Sequence, residues 1–334
     1  ATYSILATKY DGTLDIKALI DGANRGLVEA AGDDYTVYMT AKEAADYNDS
    51  LQGNIGGGIG AVIGLKNSKV AIMSVLADNP AIKAGLLAND LILEINDEST
   101  DNMTADVAVS KIRGEAGTTV KLKIQRGVES KDFTVTRAVV NNPSVTSKVE
   151  NNVGIMTISR FDDSTGSLAK LAAKGFIKDG VKSVILDLRD NPGGYVDAAV
   201  DVAGLWLDNQ VVVTEQKNGV ITETFKSDSE AVLNGISTVV LVNGNSASAS
   251  EIVSGALQDY GVAKIVGEQT FGKGSVQQLI DINDGAQLKV TVARWYTPKG
   301  RNITKDGITP DTTATLTQAN VDAGVDPQLD KARE

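Results

Sequence analysis

Between Asp15 and Val28 the apolar residues Ile16, Leu19, Ile20, Ala23 and Leu27 recur at three- and four-residue intervals, which predicts an amphipathic helix. Thr40-Ala41-Lys42-Glu43 has the Thr-x-x-Glu pattern that opens a second one. Residues 1–55 therefore read as a short helical segment, too small to stand alone and expected to pack on something larger. From Gly56 the texture changes. Strands are predicted at Ala71–Val75 and Leu91–Ile95, with an alternating strand at Val120–Ile124, a turn at Asp78-Asn79-Pro80 and a helix over Ala105–Ile112. Beyond Asn142-Pro143 the pattern is α/β. Val153–Ile158, Ser183–Leu188 and Thr238–Val242 are strands, the last two nearly unbroken apolar runs, and Ser167–Ala173 is helical. Such runs belong to sheets covered on both faces.

Composition narrows the chemistry. The 334 residues contain no His and no Cys, which removes every nucleophilic site built on imidazole or thiolate and every zinc site that needs them. No acidic loop of EF-hand type is present either, so neither a metal nor another cofactor is expected. A net charge of −11 argues against nucleic acid as a partner. The length predicts two or three domains. No apolar run reaches the length of a membrane span, and Ala1-Thr2-Tyr3-Ser4 is neither a signal peptide nor an initiator. The expectation is an extracytoplasmic bacterial protein, secreted, periplasmic or anchored through a segment outside this sequence.

Ligands of open α/β sheets bind beyond the carboxyl ends of strands. Two turns lie there: Arg189-Asp190-Asn191-Pro192-Gly193-Gly194, and Asn243-Gly244-Asn245-Ser246-Ala247-Ser248-Ala249-Ser250-Glu251, which enters a helix through Ile252, Val253, Ala256 and Leu257. A serine at that entry has backbone N–H groups beside it that can stabilise an oxyanion. It is equally the pattern of an ordinary helix cap, and local chemistry leaves Ser246, Ser248 and Ser250 equivalent. With imidazole absent, the candidate base is a lysine of depressed pKa. Lowering a lysine from about 10.4 to roughly 7–8 costs about 4 kcal/mol, which demands burial. Gly272-Lys273-Gly274 offers one between two small residues. The same stretch, Gly267 to Lys273, matches most of a phosphate-binding loop, but Gly274 stands where Ser or Thr should hold magnesium, and Val276–Ile282 reads as a strand where such a loop needs a helix.

Residues 56–138, with Asn79-Pro80-Ala81, Gly85-Leu86 and Asp90, resemble an α+β PDZ domain of the bacterial protease type. In such domains a Gly-rich loop captures a peptide's terminal carboxylate and the peptide adds as a strand. Here that loop is Gly58-Ile59-Gly60-Ala61. Four further motifs, Asp187–Gly194, Ser246–Ile252, Thr270–Gln277 and Gly307–Asp311, resemble the carboxy-terminal processing (tail-specific) peptidases. That resemblance implies an α/β core of crotonase/ClpP-like type over residues 139–334. It places the nucleophile on Ser248, the base on Lys273 and a supporting amide on Gln277. The oxyanion donors fall on the N–H groups of Ala249 and Gly194, with Gly193 as the substitute.

The family further implies protein or peptide substrates with free, apolar carboxy-terminal tails, and a PDZ domain that recognises the tail and gates activity. Arg113 is a candidate contact in that regulation, although a solvated arginine at a helix end is the plainer reading. Trp295, Tyr296 and Arg301 read as structural. An activating or adaptor protein and oligomer formation are left open. Two other readings compete: a crotonase-like acyl-CoA enzyme, which needs neither the Ser/Lys pair nor a PDZ domain, and a noncatalytic peptide-binding protein, which would not need Ser248, Lys273 and Gln277 intact.

Overall fold

The computed structural model describes residues 1–53, 56–66, 68–140, 142–228 and 230–334, without the side chains of Asp106 and Asp322. Ile55, the sequence-based end of the N-terminal segment, lies outside them. The chain divides into two compact units: Asp49–Ser144, and Ala1–Asn48 together with Val145–Glu334.

The larger unit is built on a six-stranded sheet in the order Val145–Glu150, Val153–Ile158, Ser183–Asp187, Ser237–Val242, Lys264–Gly267, Thr312–Thr313. The first pair is an antiparallel hairpin and every later pair is parallel. Period-two side-chain alternation sends consecutive residues to opposite faces, which explains the unbroken apolar runs. Val184, Leu186, Val240 and Val242 enter a core with Ala199 and Val202 of helix Val196–Ala203 and Ile252, Val253 and Ala256 of helix Ala249–Tyr260. Ile185 and Leu241 point the other way, where Ala332 and Leu329 of helix Pro327–Ala332 cover them.

A second sheet is organised by the long strand Gln287–Tyr296, which pairs with Val37–Met39, Val211–Lys217 and Ser275–Asp281. The hairpin Val211–Lys217/Val220–Lys226 turns at Asn218-Gly219, both with positive φ, the mirror-image turn that suits strand twist. The N-terminal segment is helical, as its periodicity predicts. Asp15 caps helix Ile16–Ala30 by accepting from Ala18 N (3.1 Å), and Thr40 and Glu43 bond reciprocally at the start of helix Ala41–Leu51. Between them lies Val37–Met39, a strand the periodicity does not reveal, held by buried Tyr38 and Met39.

The smaller unit has a sheet in the order Ala61–Lys66, Lys69–Val75, Leu91–Ile95, Thr119–Arg126, Glu129–Thr136, with helix Ala105–Ile112 and a two-stranded Gly57–Gly58/Ala138–Val139 pair. Ile72, Leu86, Ile92, Val120, Leu122 and Ile124 fill its core. Buried Asp90 accepts from Arg126 Nε and Nη2 (2.7 Å each) and from Leu87 N (2.9 Å). Ala61–Lys66 is an edge strand. Among the described residues no helix is long and apolar enough to cross a membrane.

Candidate active site

Strand Ser237–Val242 delivers the chain to the turn before helix Ala249–Tyr260, and the three serines of that turn differ in what they hold. The hydroxyl of Ser246 donates to Leu188 O (2.8 Å) and that of Ser250 to Asn191 O (3.0 Å), both fully buried. Ser248 is partly exposed, its hydroxyl donates to no described residue, and its backbone takes φ 54° and ψ −112°. A non-glycine residue in that conformation is strained. The strain is held by Glu251, whose Oε2 accepts from Ser248 N (2.8 Å), and by Ala247 N donating to Asn191 O (3.0 Å).

Glu251 is fully buried and accepts four hydrogen bonds. Oε1 takes Thr270 Oγ1 (2.5 Å) and Gly272 N (2.7 Å), and Oε2 takes Lys273 N (2.9 Å) in addition to Ser248 N. One carboxylate thus ties the serine turn to the lysine segment. Burial pushes its pKa up, and those hydrogen bonds oppose the shift. Sequence reasoning read the serine entry to this helix as equally the pattern of an ordinary helix cap. It is one, but the second half of its role depends on residues about twenty positions away.

Lys273 is half-buried, and the flanking glycines explain how its segment is threaded. A Cβ on Gly272, whose φ is +85°, would sit 2.7 Å from Lys305 C and O, and one on Gly274 would sit 2.3 Å from Thr304 N. Lys273 makes no ion pair among the described residues; its Nζ lies 5.7 Å from the centroid of the Tyr35 ring. Burial lowers its pKa below the usual lysine value, nearby Lys289 lowers it further, and Glu251 opposes them. Lys289, itself lowered by burial, has its Nζ 4.8 Å from the Tyr47 ring. Ser248 and Lys273 are thus joined through Glu251; no hydrogen bond links the hydroxyl to the amine. The segment after Lys273 is the strand Ser275–Asp281, not the helix that a phosphate loop requires. On it, Gln277 Nε2 donates to Ser275 Oγ (2.7 Å) and Thr291 Oγ1 (3.3 Å).

The glycine turn lies against Ser248: a Cβ on Gly193 would approach Ser248 Cβ to 2.8 Å and Ala249 N to 3.0 Å. Gly193 N is already spent on Asn191 Oδ1 (2.9 Å), whereas the N–H groups of Gly194 and Ala249 donate to no described residue. Asn191, which sequence reasoning did not single out, also donates from Nδ2 to Ile158 O (2.7 Å), and Asp190 Oδ1 accepts from Asn243 and Asn245. These bonds hold the two turns side by side. Among the described residues, no cluster of three metal-binding side chains occurs.

In the smaller unit, Gly58 pairs with Ala138, Ile59 is buried in the core, and Gly60 takes φ +71° with its Cβ position 2.2 Å from Asn79 Cβ. The N–H groups of Ile59 and Gly60 donate to no described residue, and Ala61 opens the edge strand. Arg113 follows helix Ala105–Ile112 as an exposed C-cap residue, its N–H donating to Val109 O (2.9 Å).

Residues 152–314 match Peptidase family S41. This stretch is a family S41 peptidase domain. Beside the S41 core, residues 57–136 match a PDZ domain. A Staphylococcus haemolyticus chain described as "Probable CtpA-like serine protease" is 38% identical over 312 residues, covering 93% of this chain and 63% of that one. A Staphylococcus aureus chain of the same description is 37% identical over 313 residues, with the same two shares, 93% and 63%. The chain thus spans 63% of the length of these curated relatives. Among solved structures, the photosystem II D1 C-terminal processing protease matches with a TM-score of 0.60 at 28% identity, covering 94% of this chain and 85% of that one. The architecture, an α/β S41 core with a PDZ domain and N-terminal helices, is the one the sequence motifs imply.

Proposed function

We propose that this S41 chain is a serine endopeptidase that cleaves proteins at or near their carboxy-terminal tails. Neutral Lys273 takes the proton of Ser248 Oγ as that oxygen attacks the scissile carbonyl carbon. The oxyanion is stabilised by Gly194 N–H and Ala249 N–H, and the Lys273 ammonium then protonates the leaving amine. Water, deprotonated by Lys273, then adds to the acyl carbon, and as the carbon–oxygen bond to Ser248 breaks, Oγ takes the proton back from the Lys273 ammonium. Gln277 orients the amine. The observation that carries this reading is the shared Oε2 of Glu251, which binds the backbone of Ser248 and of Lys273 while the half-buried lysine makes no ion pair among the described residues.

The unspent N–H groups at Ile59 and Gly60 and the edge strand from Ala61 support capture of a free carboxylate, with the tail adding as a strand. On this reading the PDZ domain selects apolar tails and gates the core, Arg113 is the candidate contact in that gating, and the protein acts outside the cytoplasm. That one similar structure is named a C-terminal processing protease supports the same substrate class. The test is cleavage of an unstructured protein with an apolar tail. Ser248→Ala and Lys273→Ala each abolish it, and retained activity in purified Lys273→Ala overturns the dyad.

A further inference from the structure

The loop before strand Val37–Met39 reaches the catalytic strands through side chains. Val37 is the register partner of Lys289, so the ladder with Gln287–Tyr296 stops two residues short of Thr291. Hydroxyl and carboxylate groups continue it. Thr291 N donates to Thr36 Oγ1 (3.1 Å), and the hydroxyls of Thr36 (2.5 Å) and Thr291 (2.6 Å) both donate to Asp33 Oδ2. Asp33 is half-buried, yet these bonds and backbone N–H groups hold its carboxyl below the usual range, so it only accepts.

That acceptor sets a direction. A threonine hydroxyl has one hydrogen, and Thr291 gives its own to Asp33, so toward Gln277, its partner across the strands, it offers only lone pairs. Gln277 answers with Nε2, whose second hydrogen goes to Ser275 Oγ. Both amide hydrogens are then used, and the carbonyl Oε1 is the end left over. In the flipped orientation Oε1 would face a hydroxyl with no hydrogen to give, at the cost of an unmade bond. Tyr35, between Asp33 and Thr36, carries the ring beside Lys273 Nζ.

We propose that Asp33 is a positioning residue of the active site: through Thr291 it fixes the Gln277 amide so that its carbonyl, which accepts from no described residue, is the end left available to the Lys273 amine. The N-terminal segment is thereby part of the catalytic apparatus, 258 residues in sequence from the threonine it orients. The inference rests on the assignment of Lys273 as base. The groups around that lysine are Glu251 on the helix after Ser248, Lys289 on the neighbouring strand and the Tyr35 ring.

A double-mutant cycle on the full chain tests it, with Asp33→Asn, Gln277→Ala and the pair assayed on an unstructured protein with a free carboxyl terminus. The amide that replaces the Asp33 carboxylate can donate, which lets Thr291 turn and the Gln277 amide flip. The expected result for Asp33→Asn is a loss of about tenfold in kcat with little change in KM, matching one misdirected hydrogen bond. In the Gln277→Ala background the same change costs less than about twofold. Unchanged kcat in Asp33→Asn, or an equal loss in both backgrounds, overturns the proposal. Thr291→Val breaks the chain at its middle, and should show the same dependence on Gln277; it decides the matter if Asp33→Asn does not fold. Lys273→Ala in the same assay separates the two levels. Activity left there removes the underlying dyad, whereas an additive cycle with Lys273→Ala inactive removes only the role of Asp33.

Discussion

Oε2 of Glu251 accepts the backbone N–H of Lys273 at 2.9 Å while it accepts that of Ser248 at 2.8 Å. A charge that opposes the neutral form of the lysine is therefore also what holds the lysine in place. Burial and Lys289 must outweigh it, and the net direction of the Lys273 shift is downward.

Glu251→Ala leaves four donors around an empty buried site, each worth about 1–3 kcal/mol when unpaired. The expected outcome is a loss of activity of more than about 100-fold together with a large fall in Tm, read by peptide cleavage and thermal melting. A variant that keeps its Tm and its activity would show that the carboxylate is not needed to hold the two segments.

In the proposed dyad the neutral amine of Lys273 is the working form, so kcat/KM should rise with pH through an acidic limb whose midpoint lies below the ordinary lysine value of 10.5. Lys289→Met removes the like charge. The limb should then move to higher pH, and a limb that stays put would exclude Lys289 from tuning the base.

Because the folded-state pKa of Lys273 is depressed, the unfolded chain binds more protons between the two pKa values, and stability rises with pH across that window. At neutral pH the charged amine is unfavourable in the folded state. Lys273→Met should therefore be inactive but melt higher than wild type, with the difference shrinking as the pH approaches 10.5. Melting curves at several pH values check the sign.

A methyl group on Gly194, whose φ is +144°, would fall 2.0 Å from Phe161 O. Gly194→Ala should cost more than about 2 kcal/mol of stability and abolish cleavage, because the backbone that carries the proposed oxyanion donor must shift. Denaturant unfolding and activity together report it.

In the smaller unit, Gly60→Ala would drive a methyl group to 2.2 Å from Asn79 Cβ and displace the loop. The expected result is loss of discrimination between free and amidated substrate tails, measured by mapping cleavage with mass spectrometry.

Much of the fold was legible in the chain itself. Strands 183–188 and 238–242 stood out because a parallel strand buried on both faces is apolar at every position, and the Thr40/Glu43 box specifies its own helix end locally. The hairpin of the second sheet carried a readable signal in Asn218-Gly219, but strand Val37–Met39 did not: its three residues gain order only by pairing with Lys289, Leu288 and Gln287.

The absence of His and Cys by itself confined the chemistry to hydroxyl, amine and carboxyl groups, and the helix-entry turn offered three serines as candidate nucleophiles. Which serine keeps its hydroxyl proton uncommitted was decided by Leu188 O and Asn191 O, carbonyls 58 and 59 residues earlier in the chain that take the protons of the other two. The burial of Lys273, the clamp of Glu251 and the direction of the Gln277 amide likewise depend on neighbours distant in sequence. Composition and local pattern name the groups available, whereas desolvation and hydrogen-bond direction arise only when the folded chain brings a donor, an acceptor and the exclusion of water to one place.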